Sequence, residues 1–250
     1  MHIYLAHHAA ALLEWGYVHD NLGNYYLGST APDIRAMTRW PRERTHFAPL
    51  SVESVGTGAR RMLALHPELV DQRRLSPATR AFLLGYISHL VADEVWITTV
   101  FRPYFGPSEA GSPVADSEVE AHIWDRALQL DMDRKARLEL DNLCQAGDAI
   151  SVAEQGVEVA FLAPEVLIEW RGWVSRFIGW DFTWDRLKRA LNRVYRENDD
   201  VQQLVDRFLG DMPYSLERIY EKIPEEKLTA YQQDVVAATV AQIREYLGEA

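Results

Sequence analysis

A histidine and an aspartate lie four residues apart inside the longest apolar stretch of the chain, residues 81–101. At this spacing His89 and Asp93 share one face of a helix, so both side chains can bind the same ion. Charged side chains in an apolar helix are costly to bury unless they are paired or coordinate a metal. The pair therefore indicates either a metal site or a hydrogen bond inside an ordinary core, and this segment alone does not separate the two.

Three residues outside this stretch could complete a metal site. Asp33 follows Pro32, which stiffens the backbone just before the carboxylate, and His46 lies shortly before the next predicted helix. His2 stands at the start of the first predicted helix and could join them. Together with the histidine and aspartate of the apolar stretch, these residues form the nitrogen and oxygen ligand set that suits Zn²⁺, while Fe and Mn stay possible.

The elements that must position these residues are helical. Apolar residues recur at helical period from almost the first residue, and Ser76 and Pro77 offer an N-cap and a first-turn proline for a helix that reaches about Phe101. No alternating strand of useful length is found, so the predicted class is all-α. We expect one domain over residues 1–250, because no repeat or linker divides the chain.

Two features of the helical pattern bear on the site. Residues 16–44 are rich in Gly, Asn, Thr, Pro and Arg and are interpreted as a long ordered loop that carries Asp33. Gly85 lies one turn before His89 and removes a side chain from the same helix face, which would let another backbone or a ligand approach.

Composition limits the partners. Lys and Arg number 26 against 37 Asp and Glu, a net charge of -11, so a broad nucleic-acid surface is disfavoured and no stable nucleic-acid partner is predicted. Two acids near the middle of residues 81–101 argue against a membrane span. Four tryptophans between Trp170 and Trp184 are interpreted as core residues or, alternatively, as a peripheral membrane contact.

Several segments together resemble the zinc-dependent phospholipase C family. They are residues 2–7 (HIYLAH), residues 26–33 with their Ala-Pro-Asp ending, residues 45–47 (THF) and, above all, residues 81–96, and they occur in the family's order. The same catalytic domain occurs in glycosylphosphatidylinositol-specific phospholipase D proteins, and its fold is shared with the P1/S1 nucleases. The resemblance covers about the first half of the chain and implies a multi-helix bundle of the phospholipase C/P1 nuclease type.

The resemblance also implies a ligand set. Asp33, His46, His89 and Asp93 would bind metal, with Asp93 bridging toward an ion that His2 also holds, in a site of up to three Zn²⁺ ions. The chain departs from the family in two places. His2 directly follows Met1, without the family's N-terminal tryptophan, and residues 97–99 (ITT) stand where the family places a histidine.

A second group of ligands is implied on a later helix. Residues 118–125 (EVEAHIWD) resemble the family's helix of a histidine and acids. Glu118 and His122 are one turn apart, and His122 and Asp125 also share a face. We expect His122 to be a ligand, together with Glu118 or Asp125, between which the spacing does not decide.

The resemblance predicts an enzyme, a zinc-dependent phosphodiester hydrolase in which a metal-activated water attacks the phosphorus of a phospholipid or related phosphodiester. Asp33 would position or deprotonate that water. Four arginines of the same segment could hold the phosphate charge or be solvated: Arg35, Arg39, Arg42 and Arg44. We single out Arg35 and Arg39 as substrate-binding candidates.

The alternatives are a nuclease or small-molecule phosphodiesterase, and a metal-binding helical protein that has lost turnover. The N-terminal residues lack the basic residues of a signal peptide, so a cytoplasmic location is expected although family members are often secreted.

Overall fold

In the computed structural model most of the described residues, which are 1–13, 16–107, 114–139, 143–195 and 198–249, are helical, and this part of the chain contains no strand. The all-α prediction is therefore confirmed. The α-helices are α1 (His2–Leu12), α2 (Gly16–Asp20), α3 (Leu22–Gly28), α4 (Arg35–Thr38), α5 (Arg42–His46), α6 (Thr57–Leu65), α7 (Pro77–Trp96), α8 (Glu118–Glu139), α9 (Leu143–Ser151), α10 (Pro164–Gly179), α11 (Asp185–Tyr195), α12 (Asp199–Gly210), α13 (Tyr214–Lys222) and α14 (Glu225–Leu247). Short 3-10 helices span Ala31–Ile34, Pro67–Leu69 and Gln72–Arg74, and π-helical turns span Ile97–Phe105.

The chain divides into two compact units. The first, here called the site unit, contains His2–Val95, Leu140–Trp180 and Gln232–Ala250. The second unit contains Met1, Trp96–Glu139 and Asp181–Tyr231. The expectation of one domain stays a prediction.

Helix α7 is the central helix of the site unit. Its first turn is capped as the sequence predicts, because the Ser76 hydroxyl accepts a hydrogen bond from the backbone N–H of Thr79 at 3.0 Å and Pro77 needs no partner for its nitrogen. Its side chains are buried on all faces, among them Leu83, Leu84 and Ile87 with no exposed surface. A helix that is apolar all round is stable only when it is surrounded. Within the described residues, no helix combines the length and apolar character needed to cross a membrane.

Helix α3 crosses α7 at two glycines. A Cβ on Gly85 would lie 1.9 Å from the carbonyl oxygen of Tyr25, and a Cβ on Gly28 would lie 2.0 Å from that of Phe82. Neither position can hold a larger residue without separating the helices. Of the two possibilities that the sequence leaves open for Gly85, the structure shows the approach of another backbone.

The prediction of a long loop over residues 16–44 is wrong. The segment folds into α2, α3, the 3-10 turn Ala31–Ile34 and α4. These helices are short, and their sequences lack the capping side chains and sustained periodicity that identify a helix. Tertiary burial stabilises them instead, since Tyr25 and Leu27 have no exposed surface.

The tryptophans of α10 lead from the core of the site unit to its surface. Trp170 is buried, and its indole N–H donates to the Thr30 hydroxyl at 3.1 Å. Its ring stacks on Trp173 with centroids 5.0 Å apart, and Trp173 stacks on Phe177 at 5.1 Å. Trp180, just beyond the helix, is 49% exposed. The core interpretation holds for Trp170, while a membrane contact stays a prediction.

Candidate metal centre

Four elements of the site unit bring five predicted ligands to one place. Helix α7 carries His89 and Asp93, α5 ends on His46, α1 begins at His2, and the 3-10 turn Ala31–Ile34 carries Asp33. Helix α1 is held against α3 by the Tyr25 hydroxyl, which donates to the Ala6 carbonyl at 3.0 Å. Residues distant in sequence therefore meet because their helices pack around α7.

The ligand atoms are close enough to surround one ion. His46 Nε2 lies 3.4 Å from His89 Nε2, 3.2 Å from Asp93 Oδ2 and 3.9 Å from Asp33 Oδ1. His2 Nε2 lies 3.6 Å from Asp93 Oδ1, and the ring of His2 stacks on that of His89 with centroids 3.8 Å apart. Zinc–ligand bonds are about 2.0–2.2 Å, so neighbouring ligands of one ion are about 3–4 Å apart.

The ring of His89 is oriented by the backbone of the α3 segment. Its Nδ1 lies 2.8 Å from the Ser29 carbonyl oxygen. Because that oxygen can only accept, Nδ1 carries the proton and Nε2 keeps its lone pair for a metal. Metal-binding histidines are commonly fixed in this way. The glycine crossing of α3 and α7 thus sets the tautomer of the central ligand.

His46 is buried, and hydrogen bonds of its neighbours hold it in place. Its Nδ1 contacts the Thr45 hydroxyl at 3.0 Å, and the Tyr86 hydroxyl donates to the Thr45 carbonyl at 2.5 Å. Helix α6, which follows α5, is held against α7 because the buried carboxylate of Glu94 accepts a hydrogen bond from the backbone N–H of Gly58 at 2.6 Å. A Cβ on Gly58 would lie 2.5 Å from the His46 carbonyl oxygen, so this approach also requires glycine.

Arg42 enters the site from the same short helix as His46. Its Nη2 donates to Asp93 Oδ2 at 2.7 Å, with 15% of its side chain exposed. The Nε of Arg42 is buried and has no hydrogen-bond partner within the described part of the chain. A guanidinium therefore adjoins the same carboxylate that faces three histidines.

The electrostatics leave two candidate ligands, His89 and Asp93, in the protonation state that a metal requires. Burial, followed by the neighbouring His2, lowers the pKa of His89 to about 3, so its ring is neutral near pH 7. Burial acts to raise the pKa of Asp93, but the charge of Arg42 and the hydrogen bond of His46 outweigh it and hold the pKa well below its ordinary value. A neutral imidazole and an ionised carboxylate are the forms that bind zinc.

The donor set fits a zinc ion. Two groups of three side chains, His2 with Asp33 and His89, and His46 with His89 and Asp93, each place their ligand atoms within 4.8 Å of one another. The Nδ1 of His2 is buried without a hydrogen-bond partner among the described residues. Imidazole nitrogens and carboxylate oxygens are ordinary zinc ligands. These five residues would hold the metal.

The second predicted ligand group lies on α8, in the second unit. His122 Nδ1 contacts the Tyr195 hydroxyl at 2.5 Å, and Asp125 Oδ1 accepts the indole N–H of Trp96 at 3.0 Å. Glu118 is exposed in the first turn of α8. None of the three belongs to either metal-capable group found among the described residues. Their role as ligands stays a prediction.

The two arginines singled out from the sequence, Arg35 and Arg39, are exposed. Arg35 Nε donates to the Trp40 carbonyl at 3.4 Å, and Arg39 ends α4 in the left-handed conformation. Arg42 is the arginine of this segment that reaches the ligands. A local signal for it exists in the sequence, because Arg42 precedes His46 by four residues and so shares its helix face.

Comparison with known proteins gives one family match. Residues 1–96 match the model of the family described as zinc dependent phospholipase C. The matched region contains all five clustered ligands and Arg42, so the resemblance to this family is confirmed over these residues. No curated protein and no solved structure matches the chain.

Proposed function

We propose that this protein is a metal-dependent phosphodiester hydrolase of the phospholipase C type. The observation that carries the proposal is the convergence of two aspartates and two further histidines around His89, within the residues that match the zinc dependent phospholipase C family. The family implies a zinc cofactor and a phospholipid substrate.

The residues of the site differ in their exposure to solvent, and this difference indicates their roles. His46 and His89 are buried and keep fixed positions, whereas 52% of the Asp33 side chain is exposed. When bound, a zinc ion supplies Lewis acidity, which lowers the pKa of water and polarises a phosphoryl oxygen. Asp33 is the ligand-side carboxylate that substrate water can reach, so it orients that water and accepts its proton.

The reaction is a hydrolysis without a covalent enzyme intermediate. The water oxygen forms a new bond to phosphorus as the bond from phosphorus to the alcohol oxygen breaks. Asp33 passes the proton taken from water to the alcohol oxygen, so the alcohol leaves protonated and Asp33 returns to its ionised state. Asp93 stays ionised throughout, since Arg42 holds its charge at 2.7 Å.

The test measures the hydrolysis of three substrates, short-chain phosphatidylcholine, bis(p-nitrophenyl) phosphate and single-stranded DNA, by protein that has been stripped with a chelator and by the same protein reloaded with zinc. We expect zinc-dependent release of the phosphorylated head group from short-chain phosphatidylcholine and slower cleavage of bis(p-nitrophenyl) phosphate. Asp33→Asn should lower the turnover number by about 10²-fold or more, the size of a general-base contribution. Asp20→Asn, an exposed aspartate at the end of α2, is the matched control and should keep full activity.

The outcomes separate the proposal from its rivals. Cleavage of single-stranded DNA without cleavage of the phospholipid would identify a nuclease. Full zinc occupancy without turnover of any of the three substrates would identify a metal-binding helical protein that lacks activity. Equal turnover by the stripped and reloaded protein would contradict metal dependence.

A further inference from the structure

The second half of α10, together with the tryptophan that follows it, places a row of aromatic rings at the surface of the site unit. Trp173 and Phe177 are half-buried, and their rings stack with centroids 5.1 Å apart. The ring centroid of Trp180 lies 6.4 Å from that of Phe177, and 49% of this tryptophan is exposed. Large apolar side chains at a surface are costly in water, and a row of them is typical of an interaction site.

The same segment is locally basic within an acidic chain. Residues 170–180 contain two arginines and no aspartate or glutamate, whereas the whole chain has a net charge of -11. Arg171 forms an ion pair with Glu154, and Arg176 is exposed. A guanidinium binds phosphate oxygens, and tryptophan rings settle at the boundary between lipid head groups and acyl chains. The composition of this segment therefore suits the surface of a phospholipid bilayer.

The charge of the chain favours a bilayer without net charge. Anionic leaflets attract basic segments and repel a protein whose net charge is -11. Phosphatidylcholine is zwitterionic, so aromatic rings can enter the level of its head groups without that repulsion. We call Trp173, Arg176, Phe177 and Trp180 the docking surface.

A chain of contacts joins the docking surface to the turn that carries Asp33. Trp170, the buried end of the aromatic row, donates its indole N–H to the Thr30 hydroxyl at 3.1 Å. That hydroxyl donates to the Leu27 carbonyl at 2.9 Å, and the Thr30 carbonyl accepts the backbone N–H of Asp33 at 3.1 Å. At a rise of 1.5 Å per residue, Trp180 is about 15 Å along the helix from Trp170. A bilayer that contacts the docking surface is therefore held at a fixed, short distance from the Asp33 turn.

We propose that the docking surface binds a phosphatidylcholine bilayer and thereby holds the Asp33 turn beside the phospholipids of that bilayer. The inference rests on the proposed function, because docking serves the reaction only if a phospholipid is the substrate. The exposed aromatic row, the absence of acidic residues from the segment, and the hydrogen bond that joins the row to the Asp33 turn carry it.

The first measurement is co-sedimentation of the zinc-loaded protein with phosphatidylcholine vesicles. We expect the wild type to bind and Trp180→Ala to lower the partition coefficient about five- to tenfold, since about half of the burial free energy of one aromatic ring would be lost. Added salt should weaken the binding little, because the vesicle has no net charge. Tyr214→Ala on α13, where the tyrosine is 56% exposed, is the matched control and should bind as the wild type does.

The second measurement compares the turnover of phosphatidylcholine in vesicles with the turnover of monomeric short-chain phosphatidylcholine, which has the same head group. The ratio of the two rates should fall in Trp180→Ala by about the same factor as the partition coefficient, and Tyr214→Ala should keep the wild-type ratio. A substitution that only damages the fold lowers both rates together and leaves their ratio unchanged.

Four results would overturn the inference. The first two are a wild type that does not bind phosphatidylcholine vesicles and a Trp180→Ala variant that binds them as the wild type does. The third is binding that requires anionic phospholipid and is abolished by salt, which would identify an electrostatic contact instead. The fourth is a wild-type dimer that Trp180→Ala dissociates, without vesicle binding, which would identify a second copy of the chain as the occupant.

Vesicle binding does not require turnover, so failure of the inference can be distinguished from failure of the proposed function. Zinc-dependent hydrolysis of short-chain phosphatidylcholine without vesicle binding would overturn the inference alone. Vesicle binding that depends on Trp180, without hydrolysis of any phosphodiester, would support the docking surface and remove the proposed function.

Discussion

His89 is the central residue of the candidate centre, because its two ring nitrogens face different partners. Nδ1 is fixed by a backbone carbonyl, and Nε2 faces His46 at 3.4 Å and Asp93 at 3.9 Å. Burial lowers the pKa of the ring to about 3, so protons compete weakly for the nitrogen that a metal needs. The lone pair of Nε2 is therefore available to a metal ion.

Asp93→Asn tests the aspartate of the same helix. The amide keeps the size of the side chain but has no charge to hold a cation, so we expect lower zinc occupancy and loss of hydrolysis while α7 stays folded. Elemental analysis measures the zinc occupancy, the phosphodiesterase assay measures hydrolysis, and far-ultraviolet circular dichroism measures the helix content.

Asp234→Asn, at an exposed position of α14, is the control for that variant and should behave as the wild type. Zinc occupancy of Asp93→Asn equal to that of the wild type would rule out Asp93 as a ligand.

For single residues, the sequence predicts the pair of His89 and Asp93 but not the side chains that contact it. His89 and Asp93 are recognisable because their spacing is that of one helical turn. The ion pair between Arg42 and Asp93 joins residues 51 positions apart, and only the packing of α5 on α7 creates it. The same packing separates Arg42 from Arg35 and Arg39, which the sequence alone cannot rank.

Among the elements, the crossing of α3 and α7 has the most direct effect on the site. The Ser29 backbone that orients His89 follows α3 directly, and its position depends on the contact between Gly85 and the Tyr25 carbonyl. A change that separates these helices should therefore reduce both stability and metal binding.

Gly85→Ala tests this coupling. The new Cβ would lie 1.9 Å from a backbone oxygen, which cannot be relieved by a side-chain rotation. Overpacking of this kind costs about 1–3 kcal/mol or more, so we expect a free energy of unfolding lowered by at least that amount. Zinc affinity should fall with it, as measured by chelator competition.

Gly172→Ala is the matched control within α10. Its nearest neighbour would be Arg176 Nη1 at 3.6 Å, an ordinary contact. Alanine is favoured over glycine inside a helix, so stability should rise by roughly 0.5–1 kcal/mol with zinc affinity unchanged. Equal effects of the two substitutions would contradict the role of the crossing.

The helices differ in how far the sequence predicts them. Helix α7 combines a cap, a proline and a long apolar run, and its start at Pro77 is predicted correctly. The helices of residues 16–44 have few of these signals and depend on burial of Tyr25 and Leu27 against other elements. Tertiary stabilisation of this kind leaves no periodic pattern in the sequence.

For the whole molecule, a bound metal should couple to stability. Zinc that binds the folded chain and not the unfolded chain stabilises it by about 2.7 kcal/mol at a free concentration of 100 times the dissociation constant. We expect a higher midpoint of thermal unfolding for the zinc-loaded protein than for the stripped protein.

The Asp93→Asn variant should lose most of this increase, while Asp234→Asn should keep it. Hydrogen exchange should show the added protection in α7 and α3, the helices that hold His89. An equal increase in the two variants would mean that zinc stabilises the chain through other residues.

The family match and the structure together show which parts of the whole chain could be predicted from the sequence. The match to the family model ends at residue 96, and the clustered candidate ligands all lie before that point. Glu118, His122 and Asp125 lie beyond it, in a unit where His122 and Asp125 already have hydrogen-bond partners. The all-α class follows from periodicity along the whole chain, whereas the division into two units depends on long-range packing.

The most direct test of the central claim is a zinc titration of the stripped protein, with hydrolysis of bis(p-nitrophenyl) phosphate followed at each addition. We predict that the rate rises in proportion to zinc occupancy, reaches a plateau when the centre is filled, and returns to the background rate when a chelator is added. A protein that reaches full zinc occupancy without hydrolysis, or that hydrolyses the substrate equally without zinc, would contradict the assignment of this centre to phosphodiester hydrolysis.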